Sequence, residues 1–235
     1  MTLCADTPGC IKRSFIMSKN EKVSNSVIRR LPRYYRFLGE IMSEGISKIS
    51  SRELAERMKV TASQIRQDLN CFGGFGQQGY GYNVAELREE IGAILGVNGD
   101  HPAVLIGAGN LGRALAVHLD YAKYGCRLCG VFDSSEQLSG MKLGALTVMP
   151  MSGLTSFCEK CRPVIAILCI PKEAASEVCE KLAALGVKAF WNFSHYDISL
   201  DNIPDVVIEN VHLGDSLMAL CYRINQSEKK EEEKQ

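Results

Sequence analysis

The sequence predicts an α/β protein in which a small N-terminal winged helix-turn-helix domain precedes a doubly wound parallel sheet. Three closely spaced helical segments end in a glycine-rich segment before residue 85, and short apolar strands alternate with helices after it. Residues 1–85 contain 13 Lys and Arg against 7 Asp and Glu, whereas residues 86–235 contain 14 against 20. The two parts therefore differ both in pattern and in the sign of their charge.

These patterns divide the chain into four predicted segments. They are a flexible N-terminal extension over 1–24, a winged-helix domain over 25–84, an α/β domain over 85–225 and a disordered tail over 226–235. The extension is polar, and Met17 opens a stretch that would itself make a natural start. The tail is a run of charges with nothing to bury.

The composition excludes several classes of protein. Hydrophobic residues make up 46% of the chain and charged residues 23%, which are ordinary globular values and argue against a disordered or fibrous protein. No run approaches the ~20 apolar residues that a membrane-spanning helix needs. Residues 1–20 lack the apolar core of a signal peptide. We therefore expect a cytoplasmic protein without a membrane partner.

The N-terminal helices are predicted from spacing and capping signals. Apolar residues recur at helical spacing over 28–42 with arginines between them, and Pro32 belongs in the first turn of that helix. Two capping boxes open the following helices, formed by Ser50 with Glu53 and by Thr61 with Gln64. The short connection between these helices suits a steep crossing angle, as in a helix-turn-helix.

A wing is predicted after the third helix, because glycines alternate with aromatic and polar residues from Gly73 to Tyr82. Either a winged helix-turn-helix or a plain three-helix structural domain fits these elements. The basic surplus favours DNA binding, although a solvated surface would also carry it.

From residue 83 onward, a linking helix is followed by alternating strands and helices. The predicted strands are AVLIG, RLCGVFD, VIAILCI, KAFWNF and VVIE, with ALAVHLDYAKY and KEAASEVCEKLAALG among the helices between them. Alternation of this kind is typical of a parallel sheet covered on both faces.

A glycine-rich turn follows the first of these strands and opens a helix. It consists of Gly107, Ala108, Gly109, Asn110, Leu111 and Gly112. Such glycines permit the tight turn, the approach of a pyrophosphate and close helix–strand packing. Asp133 ends the next strand, 21 residues after Gly112, where a carboxylate can hold ribose hydroxyls and repel a 2′-phosphate. The motif predicts a Rossmann-like domain that binds NAD; a glycine turn kept for packing alone is the alternative.

Features of a dehydrogenase are missing beside this motif. The four histidines are scattered along the chain without a carboxylate partner at motif spacing, namely His101, His118, His195 and His212. Too little chain remains after the second strand for a separate substrate domain. We therefore expect a protein that binds a dinucleotide without converting it, and an NAD-dependent oxidoreductase is the less favoured alternative.

Ten cysteines include two CxxC pairs, Cys126/Cys129 and Cys158/Cys161. The first pair falls in a predicted strand, where residues three apart point to opposite faces, so both thiols would not reach one metal. We predict reduced thiols that act as small buried hydrophobes, and no metal site.

The chain resembles the Rex family of bacterial redox-sensing transcriptional repressors over roughly residues 25–225. The matching stretches are RLPRYYRFL (30–38), SSRELAERMKVTASQIRQDLNCFGGFG (50–76), GYGYNV (79–84), IGAGNLGRAL (106–115), VFD (131–133), CIPKEAA (169–175), WNFS (191–194) and IENVHLGDSLMALCY (208–222).

This resemblance implies a homodimer that binds a palindromic operator, an inverted repeat, when NADH is low. It implies that NADH closes the dimer and releases the operator, that NAD⁺ competes for the same site, and that the C-terminal helix is exchanged between subunits. Such a protein senses the NADH/NAD⁺ ratio through a coupling free energy of typically ~1–3 kcal/mol.

The resemblance also implies which residues face DNA. The recognition helix is Thr61–Cys71, with Ser63, Gln64, Arg66 and Gln67 as the predicted contacts and a wing around Gln77 to Tyr82. Arg66 suits guanine or a phosphate and Gln64 suits adenine, whereas Gln67 also fits a neutral exposed position. Several relatives place basic residues where this chain has Gln67, Gln77 and Gln78. We therefore expect a shallower salt dependence here, with either a weaker operator affinity or a shifted sequence preference.

The switch residues depart from the family's pattern. Relatives commonly place Asp-Phe before the C-terminal helix, and the acid joins an arginine of the first helix and a tyrosine after the glycine motif. Here the pair is His212 and Leu213, the arginine is Arg36, and the tyrosine position falls at His118, or at Tyr121. The alternative function is therefore a repressor that responds weakly to NADH, prefers NAD⁺ or senses another nucleotide, such as a CoA-like ligand.

Overall fold

A computed structural model of the protein describes residues 23–73, 75, 81–195 and 205–232, with side chains of the last helix described to residue 229. The chain divides into two compact units, Met1–Leu95 and Gly96–Gln235. The predicted extension therefore lies largely outside the described residues. Among the described residues, no helix is long and apolar enough to cross a membrane.

The described residues of the first unit form five α-helices and a two-stranded sheet. The helices are α1 (Asn25–Ile28), α2 (Leu31–Ser43), α3 (Ser51–Met58), α4 (Ala62–Asn70) and α5 (Val84–Leu95). Strand β1 (Lys48–Ile49) pairs antiparallel with β2 (Tyr82–Asn83). Pro32 lies in the first turn of α2, as predicted. A side chain at Gly81 would press on the Ile49 carbonyl, and φ there is +73°, so this pairing requires glycine.

Capping begins both helices of the helix-turn-helix. Ser50 Oγ accepts from Glu53 N–H at 3.1 Å, and Glu53 accepts from Ser50 N–H at 2.8 Å, which completes the predicted capping box of α3. At α4 the structure shows one half of the second box, because Thr61 Oγ1 accepts from Gln64 N–H at 3.1 Å. A cap at Thr61 alone is sufficient to satisfy one free N–H of the first turn.

Helix α5 belongs to the first unit rather than to the α/β domain. Val84, Leu87 and Ile91 are buried in the same core as Leu31 and Leu38 of α2. The unit boundary therefore falls between Leu95 and Gly96, whereas the sequence placed it between residues 84 and 85. The amphipathic pattern of α5 marked a helix correctly, but a pattern does not indicate which neighbour its apolar face covers.

The second unit is a seven-stranded sheet in the order β5-β6-β4-β3-β7-β8-β9, parallel throughout except for β5. Its strands are β3 (His101–Ile106), β4 (Cys126–Asp133), β5 (Lys142–Leu143), β6 (Leu146–Pro150), β7 (Ile165–Leu168), β8 (Ala189–Asn192) and β9 (Val207–Asn210). Its helices are α6 (Asn110–His118), α7 (Leu154–Cys161), α8 (Lys172–Ala184) and α9 (Leu213–Glu232).

Helices cover both faces of this sheet. Leu154 of α7 and Leu182 of α8 are buried with Phe132 on one face. Leu111 and Leu115 of α6 pack on the core of the other face. The doubly wound α/β architecture predicted from the alternating pattern is confirmed.

Helix α9 extends well into the predicted disordered tail. It runs without interruption from Leu213 to Glu232, so residues 226–232 are helical. Glu, Lys and Gln are good helix formers, and a helix already begun adds further turns at little cost. The run of charges therefore indicates a solvated segment, and a solvated segment can still be helical.

Candidate dinucleotide and nucleic-acid sites

The turn between β3 and α6 cannot carry side chains at its first and third glycines. Gly107 has a φ of +100°, and a Cβ there would overlap the Cys169 carbonyl. A Cβ at Gly112 would overlap the carbonyl oxygen of Gly107. These two positions hold the turn closed against β7 and α6, which fits their predicted roles in the tight turn and the helix packing.

Gly109 differs from both neighbours, because a Cβ built there meets nothing within 4 Å. It is the N-cap of α6, and no side chain caps the first N–H groups of this helix. Backbone N–H groups at a helix N-terminus, together with the helix dipole, form a site for an anionic phosphate. The open side of the turn is therefore suited to a pyrophosphate.

Asp133 braces this turn from the end of β4. One carboxylate oxygen accepts from Ala108 N–H at 2.6 Å and the other from Ser135 N–H at 2.8 Å. Because a carboxylate has about four acceptor sites, two remain for the hydroxyls of a ribose. The sequence indicated the ribose role; the bracing role appears only when β4 and the turn are side by side.

The strand order reverses its direction beside this turn. The chain runs from β3 to β4 and β6 on one side, then crosses back to β7, β8 and β9 on the other. Dinucleotides bind at the carboxyl ends of strands where the order reverses in this way. The reversal here lies between β3 and β7, next to Gly107.

Sequence reasoning did not assign Asn192, Ser194 and His195 to the site, although they lie at the carboxyl end of β8 on the β7 side of this reversal. Ser194 is 3% exposed and its Oγ has no hydrogen-bond partner among the described residues. His195 adopts a left-handed φ of +57°, and its ring centroid lies 6.5 Å from that of His212. Asn192 donates to Asn210 at 2.7 Å and accepts from Ser194 N–H. The signal in the sequence that could have found them is the set of polar residues at the carboxyl ends of β8 and β9.

In the first unit, α4 presents one polar face. Ser63, Arg66 and Gln67 are exposed, whereas Ile65, Asp68 and Leu69 are buried, as a helix that packs on one side requires. Gln64 is partly buried. Of the predicted DNA contacts, Gln77 lies outside the described residues.

Arg66 and Tyr82 come together beside α3. Arg66 donates to Ser51 Oγ at 3.0 Å. Burial raises the pKa of the Tyr82 hydroxyl, and the nearby Arg66 charge lowers it in part. Arg66 of the recognition helix and Tyr82 at the base of the predicted wing thus lie close enough to interact electrostatically.

A buried carboxylate fixes α4 against α2. Asp68 accepts two bonds from the Arg30 guanidinium, both at 2.7 Å, and one from Tyr34 Oη at 2.7 Å. Burial opposes ionisation of Asp68, but the bonds from Arg30 and Tyr34 outweigh it and lower the pKa of that carboxyl. Sequence reasoning missed this triad, although an acid between Ile65 and Leu69 on an apolar face was a signal.

Comparisons with known proteins match both units. A family described as "Putative DNA-binding protein N-terminus" matches residues 22–70, and a family described as "CoA binding domain" matches residues 98–196. The "Redox-sensing transcriptional repressor Rex" of Thermoanaerobacter pseudethanolicus is 50% identical over 90% of this chain and 94% of its own. The protein of that name from Clostridium botulinum is 46% identical over 90% of this chain and all of its own.

This chain belongs to the Rex family. Both of these relatives are named as redox-sensing transcriptional repressors. The solved structures agree: RSP, a Rex-family repressor, matches with a TM-score of 0.83 and 45% identity over 92% of this chain and all of its own. RSP in complex with β-NAD⁺ and operator DNA matches with a TM-score of 0.82 and 47% identity, over 92% of this chain and 98% of its own.

The residues that the Rex resemblance assigned to the switch lie in both units. Arg36 is exposed on α2, and His118 is exposed at the end of α6. Tyr121 is the other residue considered for the tyrosine position, and its hydroxyl is buried within the second unit. Burial raises the pKa of the Tyr121 hydroxyl. His118 is therefore the better placed of the two to meet another group.

His212 and Leu213 join β9 to α9, and Leu213 is 54% exposed. The structure thus brings His212 beside His195 within the second unit.

Proposed function

We propose that this protein represses transcription by binding operator DNA through the first unit, and that NADH bound in the second unit releases the operator. NAD⁺ competes for the same site, so operator occupancy follows the NADH/NAD⁺ ratio. The observation that carries this proposal is the glycine-rich turn, open at Gly109 and braced by Asp133. RSP, which is similar along nearly the whole chain, was solved with β-NADH and with β-NAD⁺ and operator DNA.

In the dinucleotide site, we assign each part of the ligand to one group of residues. The backbone of Gly107, Ala108 and Gly109 and the N-terminal turn of α6 at Asn110, Leu111 and Gly112 hold the pyrophosphate. The two free acceptor sites of Asp133 hold the ribose hydroxyls of the adenosine, and its charge disfavours a 2′-phosphate. The nicotinamide half extends towards Ser194, His195 and His212.

On DNA, we assign base reading to the exposed face of α4. Arg66 reaches guanine or a phosphate, Gln64 reaches adenine, and Ser63 and Gln67 lie on either side of them. Tyr82 and Gln77 follow the backbone with the wing. Two such helices must act together, because a single short helix offers too few contacts for a specific operator.

We propose a homodimer on an inverted-repeat operator, supported by the surface of α9. Leu217 is 62% exposed, Met218 66% and Tyr222 65%, so a long helix presents apolar side chains that the chain itself does not cover. A second copy that exchanges this helix would bury them. The two-fold symmetry of such a dimer matches the symmetry of an inverted repeat.

The switch couples NADH binding in the second unit to operator release by the first unit. In our proposal, Arg36, His118, His212 and Leu213 are the residues that couple NADH binding to operator release. NADH differs from NAD⁺ in ring charge and geometry, and only a difference in binding to the two states can shift the dimer between them. Because His212 replaces the family's usual acid, Arg36 cannot form an ion pair there, and the coupling is expected at the weak end of the family's range.

Fluorescence anisotropy on a labelled inverted-repeat operator tests the proposal. NADH is expected to lower operator affinity, NAD⁺ to leave it nearly unchanged and to reverse the effect of NADH when both are present. CoA serves as the control nucleotide. Operator binding that ignores NADH and NAD⁺ but responds to CoA would select the alternative nucleotide sensor, and absence of operator binding would overturn the repressor itself.

A further inference from the structure

A β-bulge in β4 gives Cys129 an unusual position. Ala103 of β3 pairs with Leu128 and Val104 pairs with Gly130, so Cys129 is the extra residue between two paired ones. A bulge re-aims the side chain of its extra residue relative to regular alternation. Arg127 and Cys129 lie two residues apart and share one side of the strand, and the bulge brings Gly130 to that side as well, against Phe157 of α7.

Helix α7 brings a second thiol to the bulge. The Phe157 ring of α7 packs edge-to-face on Phe132 with centroids 5.2 Å apart, and a Cβ at Gly130 would lie 2.6 Å from the Phe157 ring. Cys161 follows Phe157 by one helical turn on the same face of α7. The Cys161 thiol acts electrostatically on both Arg127 and Cys129, as expected for a neighbour on this face of the sheet.

A guanidinium lies next to this pair. Arg127 donates to Cys129 Sγ at 3.0 Å, and Asp100 holds the Arg127 Nε with two oxygens at 3.0 and 3.1 Å. Burial and the contact with Cys161 raise the pKa of the Cys129 thiol, while the Arg127 charge lowers it in part. The pKa of Cys129 is raised overall, and the Arg127 guanidinium is the side chain that works against this rise and favours the reactive thiolate.

We propose that Cys129 and Cys161 form a peroxide-responsive thiol pair, separate from the dinucleotide site, that oxidises to a disulfide between β4 and α7. One thiolate attacks the peroxide O–O bond, which gives a sulfenic acid and, after protonation, water or an alcohol. The other thiol then attacks this sulfur, the S–S bond forms, and the sulfenic hydroxyl leaves as water. Two thiols lose two electrons, and the peroxide gains them.

The arrangement argues for oxidation rather than metal binding. The two CxxC motifs contribute only one thiol each, because Cys126 bonds to the Tyr124 carbonyl and Cys158 is buried in the core. Among the described residues, no group of three or more Cys, His, Asp or Glu side chains is placed to hold a metal. A guanidinium on Cys129 would also repel a metal cation, and structural zinc takes four ligands.

Peptide mapping of the full-length protein tests the pair directly. The reduced protein is exposed to hydrogen peroxide, its free thiols are alkylated at once, and a digest is analysed by mass spectrometry. A Cys129–Cys161 linked peptide is expected, reversed by dithiothreitol. Cys71→Ser and Cys221→Ser, at two other exposed thiols, are expected to leave this peptide unchanged, whereas Cys129→Ser and Cys161→Ser abolish it. Arg127→Gln is expected to slow its formation several-fold.

The linked peptide is sought first in the wild-type protein. Misfolding of a substituted variant therefore does not affect that result. The proposal is overturned if peroxide oxidises Cys71 or Cys221 while Cys129 and Cys161 stay unlinked. It is also overturned if the purified protein holds stoichiometric zinc that both Cys129→Ser and Cys161→Ser remove. The disulfide spans about 30 residues, so oxidised wild type is expected to melt several degrees higher than reduced protein.

Discussion

At the scale of single residues, the three glycines of the turn before α6 have different surroundings and therefore different tasks. Gly107 and Gly112 lie against backbone carbonyls, so glycine is required there for the fold itself. Gly109 faces open space and has an ordinary φ of −66°, so an alanine fits the free protein. Within these six residues, the fold requires Gly107 and Gly112, whereas the proposed ligand requires Gly109.

Gly109→Ala tests this separation. The melting temperature is expected to change by no more than a degree or so, while NADH affinity falls at least about tenfold because the methyl group occupies the phosphate's approach. Calorimetric titration with NADH and thermal unfolding measure the two quantities. Gly153→Ala is the matched control, because Gly153 is also an N-cap, that of α7, with nothing within 4 Å. Full NADH affinity in Gly109→Ala would contradict the assignment.

The buried carboxylate in the first unit gives a second prediction at this scale. Asp68→Asn leaves the Arg30 guanidinium and the Tyr34 hydroxyl without their charged acceptor, and we expect a loss of about 2–3 kcal/mol in the free energy of unfolding. Glu44→Gln is the control. It breaks the Arg57–Glu44 pair, whose side chains are 38% and 49% exposed, and should cost less than about 1 kcal/mol.

The pH dependence follows with a definite sign. Folding lowers the pKa of Asp68, so its contribution is present above the unfolded value near about pH 4 and is lost as the pH falls through the folded value. Wild type should therefore lose more stability than Asp68→Asn between neutral and acidic pH. Urea unfolding at several pH values measures both slopes, and parallel slopes would argue against an ionised Asp68.

At the scale of elements, α9 stands apart from the helices around it. Helices α6, α7 and α8 bury one face each against the sheet, whereas Leu217, Leu220 and Tyr222 of α9 are more than half exposed. In a single chain, these side chains gain little stabilisation from packing. The element therefore indicates a partner surface before any relative is considered, and it supports the proposed exchange between two copies.

Negative charges introduced on the apolar side chains of α9 should dissociate the proposed dimer. Leu217→Glu combined with Leu220→Glu is expected to convert a dimer to a monomer and to abolish operator binding, because carboxylates would be buried in the interface. Light scattering after size-exclusion chromatography gives the mass, and anisotropy gives the affinity. Ser227→Glu, near the polar end of the same helix, is the control. A dimer that survives the double substitution would place its interface elsewhere.

At the scale of the whole molecule, the proposed function is a linkage between two binding events in one chain. If NADH weakens operator affinity by some factor, the operator must weaken NADH affinity by the same factor. The expected factor is about 5- to 150-fold, and the replacement of an acid by His212 favours its lower end.

Reciprocity can be measured directly. Operator affinity is determined by anisotropy with and without saturating NADH, and NADH affinity by calorimetry with and without saturating operator. The two factors are expected to agree within error. Unequal factors would mean that NADH acts outside a two-state equilibrium, for example by dissociating the dimer. Leu213→Phe, which restores the family's aromatic residue, is expected to increase both factors together.

Local signals in the sequence determined much of this protein. The run from Gly107 to Gly112, the acid at Asp133 and the cap at Thr61 each act over one turn or one strand, so their spacing predicts their structure. The alternation of strands and helices gave the doubly wound sheet for the same reason, and the combination of both units pointed to the Rex family. The sites of nucleotide and DNA binding remain predictions residue by residue.

Tertiary structure decided what depends on residues that are distant in the chain. The side on which α5 packs, the triad of Arg30, Tyr34 and Asp68, and the meeting of Cys129 with Cys161 involve partners about 30 or more positions apart. No periodicity encodes such contacts, because periodicity reports only which face of an element is apolar and not what covers it. The bulge that brings Gly130 to the same side as Cys129 is an example, since regular alternation would place these two neighbours on opposite sides of the sheet.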